Sequence, residues 1–185
     1  MSQVLTFPNA LSLLRGLGIP LFVYQALVIK ADKWAILTLV IAGATDYFDG
    51  KLARAWNQTS AVGEILDPAI DRLYIISTLI VLYIREAAPL WLICILIGRD
   101  VVMAFFALAL QMKGLPPIKV SYLGKAATFN LLYAFPLLLL ALSTNRLSSL
   151  AFILGWSFTL WGVALYIGTA IGYIQDAVVR IKNSK

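Results

Sequence analysis

The chain has 185 residues, of which 61% are hydrophobic and only 13% charged, and its 15 basic and 9 acidic side chains give a net charge of +6. This composition, with a mean hydropathy of +0.87, excludes a soluble globular domain and predicts an integral membrane protein. The chain has no histidine, which excludes phosphohistidine intermediates and histidine-based triads. The basic excess suits anionic lipid head groups better than nucleic acid.

Six apolar stretches follow one another along the chain. They cover residues 7–29, 34–48, 65–84, 89–112, 122–142 and 150–174. A spanning helix needs about 20 mostly apolar residues, so the second stretch is short unless its helix continues through residues 46–54. Backbone polar groups in lipid must be satisfied within their own segment, and we therefore expect an all-α bundle of six transmembrane helices.

The connections between these stretches are short, which predicts one domain over residues 1–185. With six spans both termini lie on the same side of the membrane. That side would hold Lys51, Arg54, Lys113, Lys119, Arg180, Lys182 and Lys185, and the other side Lys30, Lys33, Arg85 and Arg146. Since cytoplasmic loops carry the excess of Lys and Arg, we expect cytoplasmic termini and a multi-pass protein of a bacterial plasma membrane.

Residues 46–71 contain five of the nine acidic residues. Asp46 and Asp49 are three positions apart, and Asp67 and Asp71 are four apart, so each pair would share one face of a helix. Charge is costly inside a membrane, which makes such residues candidates for function. If the two helices meet, the four carboxylates repel each other unless a cation lies between them. Oxygen ligands without His or Cys select Mg²⁺, Mn²⁺ or Ca²⁺. We therefore predict a metal site, with room for two ions.

Small residues surround these carboxylates and would let a bulky head group approach the backbone closely. They are Gly43, Ala44, Gly50 and Ala53. Arg54 lies two helical turns after Asp46, and a metal beside an arginine suits a diphosphate. Alternatively, the acidic residues could be solvated or paired with Lys51, Arg54 and Arg72. Asp67 precedes Pro68, so it either caps a helix or lies in a helix that continues through the proline.

Eight of these positions match the signature D-x-x-D-G-x-x-A-R-x8-G-x-x-x-D-x-x-x-D. They are Asp46, Asp49, Gly50, Ala53, Arg54, Gly63, Asp67 and Asp71. On these residues the chain resembles the CDP-alcohol phosphatidyltransferases. The segments "FPNALSLLR", "LDPAIDRL", "GRD" and "SYLGKAATF" are similar to members that make phosphatidylglycerol phosphate or cardiolipin.

The resemblance implies a reaction in which an alcohol attacks the β-phosphorus of a CDP-linked lipid and releases CMP at a two-metal site. Asp46, Asp49 and Asp67 would bind Mg²⁺ or Mn²⁺, and Asp71 would complete the second metal site and serve as general base. The residues implied to bind the CDP-lipid are Asn9, Ser12, Gly50, Ala53, Arg54, Ser60 and Gly63. The resemblance also implies a homodimer among membrane lipids, with CDP-diacylglycerol and a glycerol-containing acceptor as substrates.

The acceptor is the open part of this prediction. Arg99, Lys125 and Arg180 could form an anion pocket for an acceptor phosphate. Alternatively, Arg99 forms a structural ion pair, and Lys125 and Arg180 extend to the membrane interface. Arg15 could do either.

"PNALSLLR" favours a phosphatidylglycerol phosphate synthase, whereas "GRDVV" favours the cardiolipin synthases of this fold. The absence of histidine excludes the phospholipase-D-like cardiolipin synthases. We expect glycerol 3-phosphate as acceptor ahead of phosphatidylglycerol, with inositol-type alcohols behind both. A divalent-cation transporter is the alternative from another class, although Arg54 beside a cation path argues against it.

Overall fold

The computed structural model describes residues 7–55, 63–118, 120–143 and 146–183, and within these it describes the side chains of residues 12–45, 69–118, 120–143 and 146–183. Six α-helices and one π-helical turn cover most of these residues. They are α1 Phe7–Val23, the π-turn Tyr24–Val28, α2 Asp32–Ala55, α3 Gly63–Ile84, α4 Leu90–Met112, α5 Tyr122–Ala141 and α6 Ser148–Asn183. None of the described residues lies in a β-strand, so the predicted all-α class is confirmed for them.

Among the described residues, three helices are long and apolar enough to cross a membrane, namely α4, α5 and α6, and Ser12–Val28 forms a shorter apolar helix. They identify the chain as a membrane protein. The count of six spans and the side on which the termini lie stay predictions.

The helices α2 and α3 answer two questions that the sequence leaves open. Because α2 extends to Ala55, the second apolar stretch continues as one helix through the acidic segment. Because α3 begins at Gly63, it passes through Asp67 and Pro68, and Asp67 does not cap a helix. The first alternative for Asp67 is therefore wrong and the second, a helix that continues through the proline, is correct.

The chain divides into two compact units, Met1–Ala87 and Ala88–Lys185. In the first unit α1 packs against both α2 and α3. Ala42 of α2 and Ile70 and Tyr74 of α3 form a buried apolar cluster, against which Ile19 and Leu39 pack. This cluster holds the three helices together next to the acidic segment.

A second set of contacts in the first unit joins the π-turn, the start of α2 and the residue after α3. Arg85 donates through Nη1 to the carbonyl oxygen of Ala26 at 2.6 Å and to Oδ1 of Asp32 at 2.7 Å. The Arg85 and Asp32 side chains are only 14% and 11% exposed. A buried ion pair with this geometry, completed by a backbone bond, fixes the connection between α1 and α2 against the end of α3.

In the second unit α6 packs closely against α5 and more lightly against α4. The buried face of α6 toward α5 carries small residues at helical spacing, Ala151, Gly155, Thr159 and Gly162. A Cβ atom added to Gly155 would lie 3.1 Å from the backbone nitrogen of Leu138. Small residues on one face of a helix permit such close backbone approach, which is how apolar helices associate in membranes.

The start of α5 is held by two side chains. Ser121 is the N-cap and accepts a hydrogen bond from the Gly124 backbone N–H at 3.1 Å. Its own backbone N–H donates to the Tyr173 hydroxyl of α6 at 2.7 Å. The cap satisfies backbone donors that a helix start leaves free, and it ties the first turn of α5 to α6.

Candidate active site

The four aspartates of the predicted metal site lie on two helices of the first unit. Asp46 and Asp49 are one turn apart in α2, and Asp67 and Asp71 are one turn apart in α3. Asp46 follows Ala42 of the buried cluster by one turn, and Asp71 precedes Tyr74 by one turn. Only residues 56–62 separate the end of α2 from the start of α3, so both pairs lie toward the ends of the helices that this segment joins.

The side chains of Asp46, Asp49 and Asp67 lie outside those that the structure describes. The same holds for several predicted CDP-lipid residues, Asn9, Gly50, Ala53, Arg54 and Gly63, whereas Ser60 lies outside the described residues altogether. Among the described side chains no group of three potential metal ligands occurs. Since three of the four predicted ligands are not among them, the metal site and the CDP-lipid contacts stay predictions.

Asp71 is the one predicted catalytic residue whose surroundings are described. Its side chain is 46% exposed, so part of the carboxylate is open to a ligand or to solvent. Its Oδ1 lies 3.5 Å from Nη2 of Arg15 in α1, whose side chain is only 2% exposed. The sequence left the role of Arg15 open, and the structure shows it as a buried cation paired with the predicted base.

The other predicted α1 residue with a described side chain is Ser12, which is 1% exposed and lies one turn before Arg15. Both residues are therefore on the face of α1 that is buried in the first unit. Ser12 is thus buried in the same part of α1 as Arg15. Its contact with the cytidine stays a prediction.

Tyr74 is a functional candidate that the sequence argument missed. It is 9% exposed, and its hydroxyl donates to the backbone carbonyl oxygen of Arg15 at 2.8 Å. Gly18 leaves room for this hydroxyl, because an added Cβ atom there would overlap Tyr74 Oη. A tyrosine three residues after an aspartate on an apolar helix carries no sequence signal that distinguishes it from an ordinary core residue.

The donor set fits a divalent metal by its chemistry. Four carboxylates supply hard oxygen atoms without nitrogen or sulfur, which is the preference of Mg²⁺ and Mn²⁺. The half-exposed side chain of Asp71 leaves carboxylate surface for a cation beside its contact with Arg15. Asp46, Asp49, Asp67 and Asp71 are therefore the residues that would hold the metal.

Arg99, the first of the predicted acceptor residues, has partners within the second unit. Its Nη1 lies 3.1 Å from Oδ1 of Asp100, and its guanidinium lies 4.0 Å from the ring centroid of Tyr166 in α6. The Tyr166 hydroxyl donates to the same Asp100 oxygen. The structural ion pair considered for Arg99 is thus present, and Tyr166, which the sequence argument did not single out, completes it.

The other two predicted acceptor residues have different partners. Lys125, in the first turn of α5, is exposed, and its Nζ lies 5.7 Å from the ring centroid of Tyr122. Arg180 pairs with Asp176, one turn earlier in α6, at 2.9 Å between Nη2 and Oδ2. A common anion pocket formed by the three cations stays a prediction.

The described residues form α-helices of a membrane protein in which two helices each carry a pair of aspartates. The family model described as CDP-alcohol phosphatidyltransferase matches residues 5–161, and the chain belongs to this family. It is therefore an enzyme, and the predicted resemblance is confirmed.

Similar proteins carry the names of two activities within this family. The chain is 49% identical over 177 residues to a cardiolipin synthase (CMP-forming) of Streptomyces coelicolor, covering 93% of this chain and 82% of the relative. It is 40% identical over 182 residues to a putative cardiolipin synthase of Mycobacterium tuberculosis, covering 98% and 87%. It is 32% identical over 173 residues to a CDP-diacylglycerol–glycerol-3-phosphate 3-phosphatidyltransferase of Blochmanniella floridana, covering 89% and 90%.

Proposed function

We propose that the protein transfers the phosphatidyl group of CDP-diacylglycerol to phosphatidylglycerol, with release of CMP, and so makes cardiolipin. The observation that carries this proposal is the 49% identity over 93% of the chain to a cardiolipin synthase (CMP-forming). Identity to two relatives named for glycerol 3-phosphate is 34% and 32%. From the sequence alone we expected glycerol 3-phosphate ahead of phosphatidylglycerol. The difference in identity and the "GRDVV" segment support our proposal of phosphatidylglycerol instead.

Asp71 is the residue to which we assign the proton transfer. A hydroxyl is a poor nucleophile at neutral pH, and a carboxylate within reach can accept its proton as the oxygen attacks phosphorus. The bond from phosphorus to the acceptor oxygen forms, the bond from phosphorus to the CMP oxygen breaks, and the proton goes to the Asp71 carboxylate. Its side chain is 46% exposed, so an acceptor hydroxyl can approach it, and the carboxylate would accept the proton through an oxygen that the metal ion does not occupy.

The remaining predicted residues bind the donor. Arg54, with Gly50 and Ala53 beside it in α2, would receive the CDP moiety, because an arginine pairs with phosphate oxygens and small residues permit close approach. A divalent ion held by the aspartates would offset the negative charge that develops on the leaving CMP.

The metal requirement has a direct test. Treatment of the purified protein with EDTA is expected to abolish CMP release, and added Mg²⁺ or Mn²⁺ is expected to restore it. Full activity after exhaustive chelation would contradict the metal assignment. Isothermal titration calorimetry would measure Mn²⁺ binding to the wild type and to Asp46→Asn. Weaker binding to the variant would show that it has lost metal affinity and not turnover alone.

The acceptor is tested by purifying the protein in detergent and supplying CDP-diacylglycerol with either phosphatidylglycerol or glycerol 3-phosphate. The proposal expects CMP release with phosphatidylglycerol and at least about 10-fold slower release with glycerol 3-phosphate, since each factor of ten corresponds to about 1.4 kcal/mol of transition-state discrimination. The reverse order would make glycerol 3-phosphate the acceptor. CMP release itself separates the transferase from a divalent-cation transporter.

Glycerol 3-phosphate remains the second candidate, because a relative named for that acceptor is similar to this chain over almost its full length. The alignment covers 89% of this chain and 90% of the relative. Both acceptors present a glycerol hydroxyl and a phosphate, so the same base and the same anion pocket would serve either. The "PNALSLLR" segment at the start of α1 supports this second candidate.

For the membrane arrangement we propose six spans, both termini in the cytoplasm of a bacterial plasma membrane, an active site that faces the cytoplasm, and a homodimer. Support comes from the excess of Lys and Arg on the predicted cytoplasmic side. Cysteines introduced one at a time at Lys30 and Arg146, in a variant without Cys94, are expected to react with an impermeant maleimide from outside intact cells. A cysteine that replaces Lys113 is expected to react with the maleimide only after the cells are lysed. Labelling of this cysteine in intact cells would contradict the proposed orientation.

A further inference from the structure

The charge of Arg99 lies deep within an apolar helix. Arg99 follows the start of α4 by nine residues and precedes its end by thirteen. At a rise of about 1.5 Å per residue, its Cα atom is about 13 Å or more from either end of the helix, so the side chain cannot readily extend to water. A cation in this position is costly unless other groups compensate it, and residues of this kind commonly belong to functional sites.

Arg85 shows how the same chain satisfies a buried arginine that has a structural role. The side chains of Arg85 and Arg99 are equally buried, at 14% and 15% exposed. Arg85 makes three hydrogen bonds, one to the Ala26 carbonyl oxygen and one to each carboxylate oxygen of Asp32. Arg99 donates through Nη1 to Oδ1 of Asp100, and its buried Nε has no hydrogen-bond partner within the described part of the chain. A buried donor without a partner is unfavourable, so Arg99 retains donors for a ligand, and an arginine suits a phosphate.

Tyr166 of α6 contacts both Arg99 and Asp100. Consecutive residues of a helix project about 100° apart and do not face each other, so α4 by itself does not hold Arg99 against Asp100. Tyr166 is buried, and its ring centroid lies 4.0 Å from the Arg99 guanidinium carbon. Its hydroxyl donates to Oδ1 of Asp100, the oxygen that also accepts from Arg99. The face of an aromatic ring stabilises a cation without using any of its N–H donors, so Tyr166 fixes the guanidinium and leaves those donors for a ligand.

We propose that Tyr166 is a positioning residue for the acceptor, whose ring and hydroxyl hold Arg99 and Asp100 in place so that the remaining N–H groups of Arg99 bind the acceptor phosphate. This inference rests on the proposed function. The bound group is a phosphate ester, which phosphatidylglycerol presents as a phosphodiester and glycerol 3-phosphate as a phosphomonoester. Tyr166 acts on the acceptor only through Arg99, so its replacement should weaken acceptor binding and leave the transfer step itself nearly unchanged.

The experiment measures CMP release by the full chain in detergent at increasing acceptor concentration and saturating CDP-diacylglycerol, with thermal unfolding measured in parallel. Tyr166→Phe keeps the ring and loses the hydroxyl bond, and it is expected to raise the KM for the acceptor about 2- to 5-fold. Tyr166→Leu loses both contacts and is expected to raise this KM at least about 10-fold. In both variants kcat and the KM for CDP-diacylglycerol are expected to change less than about 3-fold.

A double variant tests whether Tyr166 acts through Arg99. Arg99→Gln is expected to raise the KM for the acceptor, because it removes the cation that binds the phosphate. Tyr166→Leu added to Arg99→Gln is then expected to raise this KM by less than about 2-fold further, since residues that act through one contact are not additive. A tyrosine with a structural role alone would lower Tm in both backgrounds without this dependence of KM on Arg99.

Two matched controls separate acceptor binding from stability. Arg85→Gln removes an arginine that is as buried as Arg99. Tyr173→Phe removes a hydroxyl of the same helix as Tyr166, one that bonds the backbone and side chain of Ser121. Both controls are expected to lower Tm by about 2 °C or more and to keep the KM for the acceptor within about 2-fold of the wild type.

Three results would overturn the inference: a wild-type KM for the acceptor in Arg99→Gln or in either Tyr166 variant, a loss confined to kcat, or the same increase in KM with and without Arg99. If Tyr166→Leu does not fold, Tyr166→Phe decides alone, and an unchanged KM there overturns it. The comparison uses whichever acceptor the wild type accepts. A wild type that releases no CMP with any acceptor overturns the proposed function and this inference together, whereas an active wild type with an unchanged KM in the Tyr166 variants overturns the inference alone.

Discussion

Replacement of Gly155 by alanine tests the close approach of α5 and α6. The added methyl group would lie 3.1 Å from the Leu138 nitrogen and 3.3 Å from the Leu137 carbonyl carbon. These are backbone atoms, which cannot rotate away as a side chain can, so the helices would have to separate by a few tenths of an ångström. Inserting a methyl group into a tightly packed site costs about 1–3 kcal/mol.

Gly168 on the same helix provides the control, since a Cβ atom added there has nothing within 4 Å. Both substitutions gain the helix propensity of alanine, about 1 kcal/mol in water. The difference in free energy of unfolding between Gly155→Ala and Gly168→Ala therefore isolates the packing cost, which we expect to be about 1–3 kcal/mol.

Thermal unfolding of the purified full chain in one detergent measures this difference. For a chain of this length about 1 kcal/mol corresponds to about 2–4 °C in Tm, so Gly155→Ala should unfold about 2–12 °C below Gly168→Ala. A Tm for Gly155→Ala equal to or above that of Gly168→Ala would refute the close backbone contact between α5 and α6.

Three further predictions concern the sites themselves. Asp71→Asn should lower kcat by at least about 100-fold while the protein still elutes as a folded species, and an active variant would show that Asp71 is not the base. Gly18→Ala should lower Tm, because its methyl group displaces the Tyr74 hydroxyl; an unchanged Tm would place that hydroxyl elsewhere. Arg99→Gln should raise the KM for the acceptor if Arg99 binds the acceptor phosphate. An unchanged KM with a lowered Tm would show that Arg99 has only a structural role, through its ion pair with Asp100.

The helices were predictable from the sequence because long apolar runs have few alternatives in a membrane. Two boundaries were not. The helix α2 continues to Ala55 through a polar segment, and α6 continues to Asn183, well past the last apolar residue of its stretch. Hydropathy falls at such points, but the backbone hydrogen bonds of a helix do not depend on it. The polar segment could therefore be assigned only from the structure.

Contacts of candidate site residues can be predicted where the residues lie close together in sequence and not where they lie far apart. Spacing predicted that each aspartate pair lies one turn apart in a helix, as the structure shows, whereas their role in metal binding stays a prediction. The contact of Arg15 with Asp71 joins residues on different helices, and a single sequence contains no signal for such pairing. The same is true of Tyr166, which lies 66 positions after its partner Asp100. The ion pair of Arg99, by contrast, joins neighbouring residues, and the sequence offered it as one of two alternatives.

The central claim is phosphatidyl transfer from CDP-diacylglycerol to phosphatidylglycerol, and the measurement that tests it most directly is the stoichiometry of products. The purified protein would be given both lipids, with different acyl chains, and Mg²⁺, and CMP, cardiolipin and glycerol would be quantified by mass spectrometry. The account predicts CMP and cardiolipin in equal amounts, with acyl chains from both substrates in each cardiolipin molecule, and no glycerol. CMP release without cardiolipin, or cardiolipin accompanied by glycerol in place of CMP, would contradict it.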